Sequence, residues 1–314
     1  MHKRDLSPGE RLKRGALFAL LFTACGLIAC GDDEPPAVEF PRIPREIIGP
    51  EARPARLFVP LSYTPSRAYP LVLMLHGYQV NGDAQDLVLG LRERVESMGF
   101  ALLIPEGTPD LKEKQFWNAW EECCNFDGLG VDDVGYLSAL VEEAAREIHV
   151  DAERVSIVGH SNGAFMAFRL ACDRPDLFRR VASVAGSMPV DASQCEAREP
   201  VSILHIHGSL DLVVPYNDNR GGVPGEGHGI VSAGARDTVA RWRESNGCPE
   251  APDQVELLDL MSNVGGAETT ASSWTSCSSG ESVHFFDIAG GDHLLLGRNA
   301  TFQDRIAEFL IAEP

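Results

Sequence analysis

Apolar positions between residues 70 and 105 come in two unbroken runs, Pro70 to His76 (PLVLMLH) and Phe100 to Pro105 (FALLIP), each closing on turn residues. A strand covered on both faces of a parallel sheet reads this way, because neither of its alternating sides meets water. Between the two runs Leu87, Leu91 and Val95 recur at helical spacing within Asp83 to Met98, which predicts a strand, helix, strand unit. The alternation continues. An acidic start at Asp133 opens a helix to Ile148, followed by a strand at Arg154 to Val158 and a helix at Gly163 to Cys172. Val181 to Val184 and Ser202 to His207 read as strands and Ala235 to Ser245 as a helix. Val283 to Ile288 reads as the last strand, and Thr301 to Ile311 as the closing helix. The pattern predicts an α/β fold with a mainly parallel central sheet and helices on both faces. No internal repeat or second composition zone appears, so residues 55–314 are expected to form one domain.

The N-terminal pattern is different. Residues 1–14 carry Lys3, Arg4, Arg11, Lys13 and Arg14, and Gly15 to Ala29 is apolar up to Cys30. A basic segment followed by an apolar stretch too short to span a bilayer has the layout of a signal peptide. Leu27-Ile28-Ala29-Cys30 resembles a bacterial lipobox, which predicts lipidation at Cys30 and anchoring to a membrane; ordinary secretion with cleavage nearby is the alternative. Both place the chain outside the cytoplasm. Residues 31–54, with six prolines, read as an extended tether.

Composition narrows the function classes. With 44% hydrophobic and 23% charged residues over 314 positions, the chain is neither collagenous nor a coiled coil nor largely disordered. Its formal charge is −19, and loss of residues 1–30 removes five basic and two acidic groups to leave −22. A surface this acidic repels nucleic acid and other polyanions. Six cysteines remain past residue 30, an even number in a compartment that permits disulfides. Proximity favours Cys172 with Cys195 and Cys248 with Cys277, leaving Cys123 and Cys124 for a vicinal bridge or a reshuffled set. No CxxC or HxxxH pair suggests a metal site.

The chemistry concentrates at Gly159-His160-Ser161-Asn162-Gly163, a G-x-S-x-G standing between a predicted strand and a predicted helix. In that context the glycines permit a sharp turn that lifts Ser161 Oγ above the sheet toward the N-terminus of the following helix. A serine hydroxyl is a weak nucleophile, so it needs a base, and the base needs a carboxylate to fix its tautomer. The chain order of such folds, serine then acid then histidine, points to Asp211 after the strand ending at His207 and to His293 after the strand ending at Ile288. Asp218 and Asp292 compete for the acid, and His293 is the histidine placed in the expected loop. Oxyanion donors are expected from the N–H of Asn162 and of Tyr78, where Gly77 lets the backbone turn in. His76 reads as a loop-ordering residue. Phe116, Trp117 and Trp120, beside the vicinal cysteines, either line a substrate pocket or pack beneath their loop.

These motifs together resemble secreted serine esterases of the polyhydroxybutyrate depolymerase and feruloyl esterase type, grouped as carbohydrate esterase family one. The resemblance rests on YPLVLMLHGY, FWNAWEECCN with VDDVGYLSALV, VSIVGHSNGAFMAFRLAC, HIHGSLDLVVPY and AGGDHLLLG. It implies an α/β-hydrolase fold and no cofactor. It implies ester hydrolysis through an acyl-enzyme, with Ser161 as nucleophile, His293 as base and Asp211 as orienting acid. The substrate would be a hydroxyalkanoate oligomer, a hydroxycinnamoyl ester or another small ester. Related sequences end in a GGGHxWPG-like segment whose Trp helps form the substrate cleft, and Leu295 stands near that position here. A serine peptidase of the same fold is the alternative enzyme, and a non-catalytic surface lipoprotein the alternative class.

Overall fold

The computed structural model describes residues 39–313 apart from 196–198, 218–219 and 224–228, so the expected leader and the expected lipidation site at Cys30 lie outside the described residues. Ile47–Ile48 (β1) pairs antiparallel with Ala55–Phe58 (β2), and Ile48 is buried. Around it Arg45 pairs with Glu143 and Glu147, and Phe40 stacks on His149. The expected tether is therefore corrected from residue 39 onward. One apolar pair in a Pro-rich run suffices to add an edge strand, because the sheet already offers it a row of unpaired backbone groups.

Tyr69–Leu75 (β3) is buried along its whole length. The helix expected from Asp83 to Met98 is two helices, Gly82–Leu89 (α1) and Val95–Met98 (α2), joined by a 3₁₀ turn. Gly90 divides them by taking a left-handed φ of 62°, where its N–H bonds to the Asp86 carbonyl. Leu91 and Val95 are buried as the spacing predicts, but Leu87, on the far side of the break, is 75% exposed. Ala101–Pro105 (β4) completes the first crossover, and Thr108–Pro109 (β5) pairs with Gln115–Phe116 (β6).

Asp133–Glu147 (α3) begins at Asp132, whose carboxylate accepts from Gly135 N. Then come Val150–His160 (β7), Asn162–Asp173 (α4), Arg180–Val184 (β8) and Ser202–Gly208 (β9). A short ribbon of Arg220–Gly222 (β10) and Gly229–Val231 (β11) precedes Ala235–Ser245 (α5). Gln254–Leu258 (β12), Thr269–Trp274 (β13), Val283–Ile288 (β14) and Ala300–Ile311 (α6) close the chain.

The ten-stranded sheet runs β1-β2-β4-β3-β7-β8-β9-β14-β13-β12. Its six central strands are parallel and two antiparallel strands flank them on each side. The period of two along β3 divides the core: Leu71, Leu73 and Leu75 face α3, α4 and α5, while Val72 and Met74 face α1 and α6. β12 and β13 escape a periodicity reading because their residues are mostly polar or exposed, and Gln254–Glu256 are held chiefly by ladder bonds to β13. Disulfides join Cys123 to Cys124, Cys172 to Cys195 and Cys248 to Cys277, resolving the pairing in favour of the vicinal bridge.

His76, His160 and His205 are buried in or beside the sheet, and His284 is half-buried on β14. Burial pushes His76 and His284 down to about 4 and His160 to about 3, and it holds His205 well below the ordinary imidazole range. His284 sits between the Ser273 and Ser282 hydroxyls at 2.9 and 3.0 Å. An unfolded histidine titrates near about 6.5, so between that pH and about 4 the unfolded chain binds more protons than the folded one. Stability therefore falls as pH falls through this window; Glu106, whose carboxyl burial raises, opposes the trend with a single group. Thermal melts should show Tm lower at about pH 4.5 than at about pH 7 by roughly 5 °C or more. An unchanged Tm would show that these rings are not neutral in the folded state.

Candidate active site

The nucleophile turn is decided by close backbone packing. Ser161 has φ 54° and ψ −122°, a conformation that L-residues rarely adopt, and it follows β7 at the N-cap position of α4. The flanking glycines make this geometry possible. A Cβ on Gly159 would overlap the Gly163 carbonyl, and one on Gly163 would overlap the carbonyls of Leu75 and His76. Ser161 N donates to Val184 O at 2.9 Å, tying the turn to β8.

Loops at the carboxyl ends of β9 and β14 bring two more side chains to Ser161. His293 Nε2 lies 2.9 Å from Ser161 Oγ, and His293 Nδ1 lies 2.8 Å from Asp211 Oδ2. The structure thus brings Ser161, Asp211 and His293 together. Asp218 lies outside the described residues. Asp292 accepts from the Leu296 N–H and caps a turn. Asp211 Oδ1 also accepts from Val213 N and Val214 N, both at 2.9 Å. Burial alone would raise this carboxyl, but the hydrogen bonds from His207 and His293 outweigh it and hold the pKa well below the usual range. A carboxylate accepting at Nδ1 fixes the proton there and leaves Nε2 bare toward the serine hydroxyl.

His160 buttresses His293. Its Nε2–H donates to the His293 carbonyl at 2.9 Å, and burial, with the nearby His293, lowers its pKa to about 3. His76 fills the loop-ordering role expected of it: Gly107 N donates to its Nε2 at 2.8 Å, so the proton sits on Nδ1 and bonds to Gly77 O at 2.8 Å. Gln85 Oε1 accepts from Gly77 N at 3.1 Å, a brace that nothing in the sequence pattern marked. A Cβ on Gly77 would meet Ser161 Cβ at 3.3 Å, so the loop carrying Tyr78 lies directly against the nucleophile.

Asn162 does more than present a backbone N–H. Its Oδ1 accepts from Trp117 N at 2.7 Å and its Nδ2 donates to Trp117 O at 2.9 Å, joining the turn to the loop of the vicinal disulfide. Trp117 in turn donates Nε1–H to His76 O at 2.9 Å. Three of the expected substrate-contacting residues are corrected here. Trp117 and Trp120 are buried in the core with Cys123 and Cys124, and Leu295 is fully buried at φ 50° among residues of the opposite core layer. Their size and apolar character made them plausible pocket walls, but those properties also suit a core. The cavity of about 450 Å³ over Ser161 and His293 is instead walled by Tyr78, Val80, Val88, Val213, Val223 and Leu294. Beside it lies a polar cleft with Arg53, Asn81, Glu106, Glu113 and Gln115, sharing Gln79, Val80 and Ala84 with the apolar cavity. Among the described residues no group of three or more His, Cys, Asp or Glu side chains is placed to hold a metal ion.

Known proteins are similar to this chain in sequence and in fold. The sequence is 28% identical over 230 residues to a Putative esterase NocK of Nocardia uniformis subsp. tsuyamanensis, covering 71% of this chain and 64% of that protein. It is 31% identical over 170 residues to Feruloyl esterase C of Emericella nidulans, covering 51% and 56% respectively. In both, the match spans less than two thirds of the relative's own length. The solved acetyl xylan esterase from Aspergillus awamori superposes with a TM-score of 0.59 at 16% identity, over 83% of this chain and 95% of that one, a likeness of fold. The model of the family described as Putative esterase matches residues 50–273, which takes in Ser161, Asp211 and the strands that carry them, and the chain belongs to that family.

Proposed function

We propose that this protein is an extracytoplasmic serine ester hydrolase that works through an acyl-enzyme. The observation that carries the reading is the continuous line from Ser161 Oγ through His293 to Asp211, at 2.9 and 2.8 Å, opening on an apolar cavity. Ser161 Oγ attacks the ester carbonyl as its proton passes to His293 Nε2. The imidazolium that forms is stabilised by Asp211, which meets it already ionised and already oriented. The N–H groups of Asn162 and Tyr78 receive the oxyanion, the alcohol leaves with the proton from Nε2, and water activated at the same nitrogen releases the acid.

The two adjoining cavities support a substrate class. Valines and Leu294 suit an apolar acyl group such as a short alkyl or hydroxycinnamoyl chain, and the neighbouring cleft of Arg53, Glu106 and Gln115 suits a hydroxyl-rich alcohol. The names of the relatives, a feruloyl esterase and an acetyl xylan esterase, point the same way. The apolar leader ending at Cys30 and three disulfides support export and a lipid anchor.

Ser161→Ala is expected to lower kcat on a nitrophenyl ester by roughly 10⁴-fold or more in a folded protein, and Asp211→Asn by roughly 10⁴-fold. Activity retained in Ser161→Ala would end the serine mechanism. Leu294→Ser is expected to raise KM for a feruloyl ester on the order of tenfold while acetyl ester turnover stays near normal. Equal effects on both esters would remove Leu294 from the acyl site. Mass spectrometry of the mature N-terminus should find a lipidated Cys30, and an unmodified N-terminus elsewhere would exclude the anchor.

A further inference from the structure

The acid of the triad has a second histidine beside it. Asp211 Oδ1 is filled by the Val213 and Val214 N–H groups and Oδ2 by His293, leaving one acceptor site on a carboxylate that offers about four. His207 Nε2 lies 3.4 Å from Oδ2 and 2.9 Å from the Val214 carbonyl. A carbonyl only accepts, so Nε2 carries a hydrogen, shared between Val214 O and Asp211. The other end of the ring is held as firmly: His207 Nδ1 lies 3.3 Å from His205 Nε2, and His205 Nδ1 lies 3.3 Å from Ser183 Oγ. His205, His207 and Ser183 are fully buried, and Tyr216 packs edge-on against His207 at 5.9 Å. A flip of the His207 ring would break both contacts at once. Among the described residues, the ion-pair partners of Asp211 are these two histidines, with no Lys or Arg.

We propose that His207 is a positioning residue for Asp211. It fills the last acceptor site on Oδ2 and shields that oxygen from water that would compete with His293, while His205 and Ser183 fix the ring that does so. The contact at 3.4 Å is the longer arm of a shared hydrogen, and bonds of this kind tighten as charge develops in the transition state. The proposal rests on the hydrolase reading above, because only a reaction that turns His293 into an imidazolium loads this carboxylate.

The test compares His207→Gln with His207→Met, two chains of similar length of which only the first can donate. On a soluble nitrophenyl ester, His207→Met is expected to lose about 10- to 100-fold in kcat with KM within about twofold of normal. His207→Gln is expected to recover most of that loss. If His207→Met does not fold, His207→Leu takes its place; its side chain carries no donor, and a loss of at least about tenfold relative to His207→Gln is expected. Equal activities in the donor and non-donor variants overturn the proposal, whether both are high or both are low. Ser161→Ala is measured alongside. If it is inactive while His207→Met matches the unsubstituted enzyme, this proposal alone fails; if it is active, the hydrolase reading fails first.

Discussion

The site depends on one crowded turn, in which Ser161 is held at a left-handed φ between two strands and a helix. That conformation is unfavourable for a residue with a side chain, and it persists because the packing around it leaves no alternative. Gly159 and Gly163 come so close to each other and to the end of β3 that neither tolerates a Cβ. The buried strands β3, β7 and β8 fix the turn from three sides, through bonds such as Ser161 N to Val184 O. A rigid parallel sheet thus does for Ser161 what a flexible loop cannot: it holds Oγ at one height above the carboxyl ends of the strands.

The neighbouring residues preserve that position and tune its electrostatics. The Asn162 side chain pairs with both backbone groups of Trp117, so the loop of the vicinal disulfide acts as an outer support for the turn. His76 and Gln85 brace the loop carrying Tyr78 from below. Around the base the aromatic nitrogens are nearly all committed: His160 to the His293 carbonyl, His207 to Val214 and Asp211. The hydrogen bonds from His207 and His293 outweigh burial and hold the Asp211 carboxyl well below the usual range, and among the described residues its ion-pair partners include no Lys or Arg.

The order of elements and the three residues that meet at the site could be read from the chain, for a physical reason. Strands covered on both faces must be continuously apolar, and a nucleophile on a strand-to-helix turn must have small neighbours, so each constraint leaves its mark within a few consecutive residues. Asp211 and His293 were found because they follow such strands in loops at the carboxyl ends. The break at Gly90 was missed because Leu91 and Val95 keep helical spacing across it, and β12 was missed because an edge strand need not be apolar.

What the sequence by itself determined was the α/β architecture, the turn that carries Ser161, and the two loops that bring Asp211 and His293 to it. Which large apolar side chains face a substrate was decided only in three dimensions. Trp117, Trp120 and Leu295 turn inward while Leu294, one position away, turns to the cavity. The second histidine on Asp211 was equally invisible, since His207 lies on a strand that reads as core and gains its role only where the β9 loop folds back. Local patterns report how much of a residue is buried, whereas the direction it faces is set by contacts between segments far apart in the chain.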